Sequence, residues 1–341
     1  MAKAKKTDEF LEFTTSLNKK YGKGIVWQLD EVSEPAASIS TGSFCLDLAS
    51  GIGGVPKGRT VEIFGGESSG KTTLALAIAA NAQKEGGNVL YIDTEYAFDP
   101  KYAKALGIDI SKILVSQPGA AEDALDIADQ AAASGKFACI ILDSVAALVP
   151  RAELEGEMGD SHMGLQARLM GQAMRKLTGS IAKSETCMLF INQKRMKIGR
   201  VFGNPETTTG GLSLKYFASM RLELSQKEAI KDKTGRVGTI TKAKVVKNKM
   251  APPFKEAFFE IVFGKGISYV GEILDTATEQ KILQKEGSWY SYKGEKLGQG
   301  RNQMKDLLES KPELVAELKA AILSTDLVTP DEEEQIEDEV A

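Results

Sequence analysis

The stretch GGESSGKTT at residues 65 to 73 follows the apolar run VEIF (61–64) and leads into LALAIAANAQ (74–83). That order reads as a strand, a glycine-bounded turn and a helix. Gly65, Gly70, Lys71 and Thr72 meet the spacing G-x-x-x-x-G-K-T of a phosphate-binding loop. The glycines let the backbone of Gly66, Glu67, Ser68 and Ser69 curl so that successive N–H groups face phosphate oxygens, and the helix that begins near Thr72 and Thr73 adds its partial positive charge. Lys71 is placed to reach the β and γ phosphates, and the Thr72 hydroxyl to ligate Mg²⁺. A nucleoside triphosphate is therefore the expected ligand, and an α/β fold of the P-loop NTPase type is the expected frame.

The chain of 341 residues, 42% hydrophobic and 26% charged, has the composition of a globular protein with one large core and room for a satellite domain. No apolar run reaches eighteen residues, and MAKAKKTDEFLEF lacks the apolar segment of a signal peptide, so a cytoplasmic protein with no membrane partner is expected. Cys45, Cys139 and Cys187 are odd in number and far apart, which argues against a disulfide framework or a zinc site. His162, the single histidine, has no second ligand nearby. The net charge of −4 is uneven, because residues 326–341 hold eight acids and no lysine or arginine, leaving +4 on the body. Such a tail fits a polyanion binder whose tail competes for the basic surface, and it fits equally a solvating disordered end.

Outward from the loop, strands and helices alternate between about residues 38 and 268. NVLYID, ILVSQ, CIILD and TCMLFIN are separated mostly by alanine-rich helical stretches, the pattern of a mostly parallel central sheet covered by helices. SMRLELS, KAKVVKN and FKEAFFEIVF are close together and extend the sheet with antiparallel strands. Residues 3–21 form a charged amphipathic helix. The expected domains are an N-terminal helical arm for oligomerisation (1–33), the ATPase core (34–268), a small α+β C-terminal domain (269–328) with one β hairpin at SWYSYKGEKLG, and an acidic disordered tail (329–341). In such a sheet ligands sit at the carboxyl ends of strands. Glu95 follows VLYID, Asp143 follows CIIL, and Asn192 and Gln193 follow MLFI. Asp143 is placed to hold Mg²⁺ with Thr72, an assignment that the phosphate-binding loop favours over a helix cap. Glu95 is placed as the general base toward water, the alternative being a surface acid on a connection.

The segments GVPKGRTVEIFGGESSGKTTL (54–74), YIDTEYAFDPKYAKALG (91–107), EGEMGDSHMGLQARLMGQAMRKL (155–177), INQKRMKIGRVFGNPETTTGGLSLKYFAS (191–219), KVVKNKMAPPF (244–254) and WYSYKGEKLGQG (289–300) closely resemble the bacterial RecA recombinases. The resemblance implies a Mg²⁺-dependent, DNA-dependent ATPase that forms a helical homo-oligomeric filament on single-stranded DNA, pairs it with homologous double-stranded DNA and exchanges strands. An SOS-type repressor is a further expected partner. By the same resemblance Gln193 senses the γ-phosphate, Lys247 and Lys249 reach the neighbouring protomer's ATP, and Asp99, Tyr102 and Phe263 lie at the adenine. The region around Lys215, Phe217 and Arg221 corresponds to protomer contacts.

The loops 151–164 and 194–211 are the implied DNA-binding loops. The second carries Lys194, Arg195, Lys197 and Arg200 against Glu206, with Ile198 and Phe202 as apolar wedges and Thr209, Gly210 and Gly211 at its end. Basic groups that track phosphates beside apolar wedges suit sequence-tolerant binding, and apart from the resemblance the same run fits a mobile surface loop equally. The first loop is acidic, and its basic partners Arg168 and Arg175, seven residues apart, share a helix face. Met163 is a further wedge. The sequence departs from the family at Gly66, where a proline is usual, at Phe263, where a tyrosine is expected, and at Gly171 and Leu212, where polar residues are usual beside DNA. A ring helicase of the same fold would show the nucleotide motifs but not the KNK motif or the C-terminal segment, and a small-molecule kinase would need an acceptor pocket that the loops do not suggest.

Overall fold

The computed structural model describes residues 2–26, 37–157, 164–196, 206–233 and 235–326. Residues 1–36 form one unit, a helix α1 (Ala2–Tyr21) whose following turn is held by Asn18, which accepts from the Ile25 and Val26 amides and donates to the Val26 carbonyl.

The second unit, 37–341, begins with β1 (Ser38–Ile39), α2 (Phe44–Ser50) and β2 (Val55–Pro56). It continues with β3 (Thr60–Gly65), α3 (Lys71–Lys84), β4 (Asn88–Asp93), α4 (Pro100–Ala105), β5 (Ile113–Ser116), α5 (Ala121–Ser134) and β6 (Phe137–Asp143). Next come α6 (Arg151–Leu154), α7 (Leu165–Ser184), β7 (Cys187–Met196), β8 (Glu206–Thr208), α8 (Ser213–Phe217), β9 (Met220–Asp232), β10 (Gly235–Asn248), β11 (Glu256–Val262) and β12 (Gly266–Ile267). The C-terminal part holds α9 (Tyr269–Glu279), β13 (Gln284–Glu286), β14 (Trp289–Tyr292), β15 (Glu295–Gln299), α10 (Arg301–Ser310) and α11 (Pro312–Asp326).

The main sheet runs β12-β11-β10-β9-β3-β7-β6-β4-β5, parallel from β9 to β5 and antiparallel from β9 to β12. Side chains alternate between its faces, as the pleat requires. Val61, Ile63, Val89, Tyr91, Cys139, Ile141, Leu189 and Ile191 pack with α2 and α3 on one face, while Leu90, Ile92, Ile140, Leu142, Met188 and Phe190 pack with α5, α7 and α8 on the other. Two-sided burial explains the nearly continuous apolar runs of the central strands. A third cluster, built on α9, α10, α11 and Tyr290, receives Phe44 from α2, whose ring meets Tyr269 edge-on at 6.3 Å.

Two expectations need correction. The second loop does not begin at Lys194: β7 continues to Met196 and pairs antiparallel with β8, because the residues that flank 197–205 can extend the sheet ladder. The C-terminal β element is a three-stranded sheet rather than one hairpin, since Gln284–Glu286 pairs with β14. Too polar and too short to stand out by pattern, that strand forms against an existing edge.

Candidate active site and nucleic-acid interface

Strands β3, β7, β6 and β4 are neighbours, so their carboxyl ends form one continuous rim. Gly65 stands opposite Gln193 and Asp93 opposite Asp143 in the register. At this rim the phosphate-binding loop is fixed by sterics. A Cβ on Gly65 would lie 2.2 Å from the Leu224 carbonyl oxygen, and one on Gly70, at φ +91°, 2.3 Å from Ile261 Cδ1. Gly66 faces open space, so nothing around it demands a glycine. Ser69 Oγ donates to the Gly66 carbonyl at 2.9 Å, closing the turn, and Ser68 adopts a left-handed φ of 56°. Glu67 and Ser68 are exposed, and no side chain caps α3 at Gly70, which leaves the first N–H groups of α3 for a ligand anion. Lys71 Nζ donates to the Gly66 carbonyl at 2.7 Å. Burial lowers the Lys71 pKa, against the opposing pull of Asp143, Glu95 and Glu67.

Asp143 is buried at the end of β6. Its Oδ2 accepts from Thr72 Oγ1 at 2.8 Å and from Tyr91 OH at 2.7 Å. Burial raises its pKa despite those two bonds and the nearby Lys71 charge, and burial likewise raises that of the Tyr91 phenol. A hydroxyl and a carboxylate in contact are hard oxygen donors that fit Mg²⁺, which characteristically keeps few protein ligands and completes its shell with water and phosphate. No group of three or more His, Cys, Asp or Glu suited to a metal occurs among the described residues.

Glu95 is exposed on the rim. Its Oε1 accepts from Ser144 Oγ and, at 3.2 Å, from Gln193 Nε2. The connection that carries it is organised by Asp93, whose buried carboxylate accepts from the amides of Glu95, Ala97 and Phe98 and from Gln117 Nε2. Thr94 bonds the Asp143 and Ser144 carbonyls, tying that connection to β6. Asp93 is not among the residues singled out above, although a charge closing an apolar strand two residues before a candidate base is a signal that marks it. Asp99 caps α4 by accepting from the Lys101 amide at 2.8 Å, and Tyr102 OH meets Thr73 Oγ1 at 2.7 Å, so the helix behind the phosphate loop touches α4 directly. Phe263 is exposed at the end of β11, with the Arg236 guanidinium 5.7 Å from its ring centroid.

Lys247 and Lys249 lie elsewhere. Asn248 pairs with Met220 and Val61 with Met220, so the KNK segment sits at the amino end of the parallel strands, opposite the rim. Lys247 Nζ donates to the carbonyls of Lys215 and Tyr216 at 2.9 and 2.8 Å, at the C-terminal end of α8. Burial, with the nearby Lys249 and Arg221 charges, lowers its pKa. Lys249 is exposed, beside Tyr216 and Phe217 in a cavity of about 640 Å³.

Arg168 and Arg175 are both exposed on α7, on the face that holds Gly171 between them. Gln166 fixes the start of this helix to the segment after Asp143 by donating to the Val145 and Leu148 carbonyls at 2.8 and 2.9 Å. Gly210 and Gly211, at φ +81° and +76°, lie against the same helix. A Cβ on Gly210 would press on Val145 and Met170, and one on Gly211 on Ala167 at 2.8 Å. The end of the second loop therefore rests on the arginine-bearing helix. Arg195 is exposed on β7 opposite Thr207, and Thr209 hydrogen-bonds Asn192. Met163, Lys197, Ile198, Arg200 and Phe202 lie outside the described residues, as does the acidic tail 329–341.

The family described as RecA N-terminal domain matches residues 10–268, and that described as RecA C-terminal domain matches 271–325. A Protein RecA of Nocardioides sp. is 56% identical over 309 residues, covering 90% of this chain and 88% of the relative. One of Mycobacteroides abscessus is 52% identical over 341 residues, covering 97% and 99%. Among solved structures, the crystal structure of the RadB recombinase superposes with a TM-score of 0.53 at 24% identity, covering 67% of this chain and 98% of that one, a likeness of fold.

Proposed function

This chain belongs to the RecA family, and we propose that it is a DNA-dependent ATPase that assembles on single-stranded DNA as a helical filament, pairs it with homologous duplex and promotes strand exchange. Family membership makes it a recombination and repair protein and a nucleotide-hydrolysing enzyme. Filaments of this kind also present a surface to SOS-type repressors and promote their self-cleavage, and a cytoplasmic site of action follows. No described helix is long and apolar enough to cross a membrane.

The observation that carries the reading is the contact between Gln193 and Glu95. β7 leads from this contact into the second DNA loop; in this reading Gln193 senses the γ-phosphate beside Glu95, the group that activates water, and passes nucleotide state on to the order of that loop. In the mechanism we favour, the loop 65–73 binds the phosphates of ATP, Asp99, Tyr102 and Phe263 hold the base, and Glu95 accepts the proton of the attacking water. Thr72 and Asp143 would hold Mg²⁺, which neutralises phosphate charge. Lys247 and Lys249, at the far end of the sheet, serve the ATP of the next protomer, as arginine fingers do in trans. Arg168, Arg175, Arg195, Lys197, Thr209, Gly210 and Gly211 contact the DNA backbone, with Met163, Ile198 and Phe202 as wedges. The segment 1–33 serves as the arm between protomers, 34–268 as the core and 269–328 as the satellite domain, with 329–341 as an acidic tail.

ATP hydrolysis by the full chain, measured with and without single-stranded DNA over a range of protein concentrations, tests this. Stimulation that rises cooperatively with concentration is expected. DNA-independent turnover by isolated protomers would remove both the shared site and the recombinase reading.

A further inference from the structure

On the sheet face that carries α8, alternate positions of three adjacent strands are polar instead of apolar: Asn192 and Lys194 on β7, Glu62 on β3, Arg221 and Glu223 on β9. Asn192 and Glu62 are wholly buried, and Arg221 nearly so. Asn192 has no hydrogen-bonding capacity left over. Its Nδ2 donates to Glu62 Oε1 and to the Thr209 carbonyl, each at 3.0 Å. Its Oδ1 accepts from the Gln193 amide at 2.9 Å and from the Thr209 hydroxyl at 2.5 Å. The other oxygen of Glu62 accepts from Arg221 Nε at 2.5 Å, and the Arg221 guanidinium lies 4.5 Å from the Phe64 ring centroid.

One side chain thus holds both ends of the segment between residues 193 and 209. At one end Gln193 reaches Glu95; at the other, Thr209 leads into the glycines that rest on α7. Behind it stands a buried ion pair that loses a donor whenever the amide lets go, which penalises intermediate arrangements and favours two discrete states.

Building on the recombinase reading above, we propose that Asn192 is a positioning residue for hydrolysis. It sets the Gln193 side chain against Glu95 in step with the position of Thr209, so that DNA held by the second loop is felt at the water-activating carboxylate through Asn192 as well as through Gln193 itself. Glu62 and Arg221 hold the amide in the orientation this requires.

The test uses the full chain with a poly-deoxythymidine oligonucleotide, measuring kcat and KM for ATP with and without DNA, and thermal melting alongside. Asn192→Asp keeps the shape but places a carboxylate against Glu62 Oε1 and the Thr209 carbonyl. Its ratio of DNA-stimulated to DNA-free kcat is expected to fall about tenfold, within the usual span of intersite coupling, with KM for ATP within about twofold of the parent. Thr209→Val removes a single hydroxyl and should lower the same ratio by about threefold. Because Thr209 is itself placed at the DNA, the ratio is read at saturating oligonucleotide, where weaker DNA binding no longer lowers it, and so read it decides the question should Asn192→Asp not fold. Pairing Asn192→Asp with Glu62→Gln restores a donor opposite an acceptor at unchanged total charge, and part of the lost ratio should return. A parent that is stimulated by DNA, together with folded variants stimulated equally, would overturn this inference alone. So would rates that drop in equal proportion with and without DNA, the mark of a structural role. A parent unaffected by DNA would overturn the recombinase reading as well.

Discussion

Asp143 at the end of β6 and Glu272 in the first turn of α9 are both buried carboxylates whose pKa burial raises, and they differ in what surrounds them. Asp143 opens onto the strand-end rim, among Thr72, Tyr91 and Glu95 and within the field of Lys71. Glu272 is closed in. Its Oε2 accepts from Ser43 Oγ at 2.7 Å and from the Cys45 amide at 2.8 Å, fastening α9 to the start of α2, and its Oε1 has no hydrogen-bond partner. Burial pushes Glu272 up to about 8 and the neighbouring Cys45 thiol up to about 12. A perturbed carboxylate is thus no site by itself: the rim gathers groups with room for an anionic ligand, whereas the α2–α9 seam offers only packing.

Breaking the rim should cost activity, and breaking the seam only stability. The largest effects come from Lys71→Ala, which should abolish ATP binding, and Lys249→Ala, which should lower filament ATPase by about a thousandfold. Because the two lysines lie at opposite ends of β3, about 16 Å of strand apart, each variant spoils a different half of a shared site. A mixture of the two should therefore hydrolyse ATP faster than either alone; no gain on mixing would place both lysines at one protomer's ATP.

Glu95→Gln should slow hydrolysis by about 10²–10³-fold while nucleotide and DNA binding, read by filter binding with ATP, persist. Turnover at the parent rate would take Glu95 out of the base role and leave it a positioning partner of Gln193 and Ser144.

The smallest effect belongs to Glu272→Gln, which should leave ATPase activity unchanged and alter only the pH dependence of melting. The folded pKa of about 8 stands above the ordinary 4.5, so the folded protein keeps a proton that the unfolded chain releases. The stability linked to that proton is fully present below pH 4.5 and is lost as pH rises toward 8, on the order of 1 kcal/mol for each pH unit. Glutamine mimics the protonated acid, so the melting curves of parent and variant should diverge between pH 5 and pH 8 in favour of the variant. Parallel curves would mean that Glu272 ionises normally in the folded state.

Much of the rim could be read in the sequence because each part is local. The phosphate-binding loop is nine consecutive residues, and Glu95, Asp143 and Gln193 each follow an apolar run by position alone. The central strands announced themselves through length and β-branched content. The Asn192–Glu62–Arg221 cluster did not: its signal is a single charge inside VEIF and two alternating charges inside MRLEL, and a charge in an apolar strand acquires meaning only when three strands are known to be adjacent. The same holds for β8 and β13, which are strands because an edge was there to receive them.

The sequence by itself determined the ligand class, the parallel core and the residues at the strand ends, since turn chemistry, apolar runs and spacing act over a few residues. Only the tertiary structure decided which ends are neighbours, that Lys247 and Lys249 stand at the opposite end of the sheet from the phosphate loop, and that one buried amide holds both ends of the second loop. Those facts depend on strand order and register, which link residues as far apart as 62, 192 and 221 and leave no trace in local pattern.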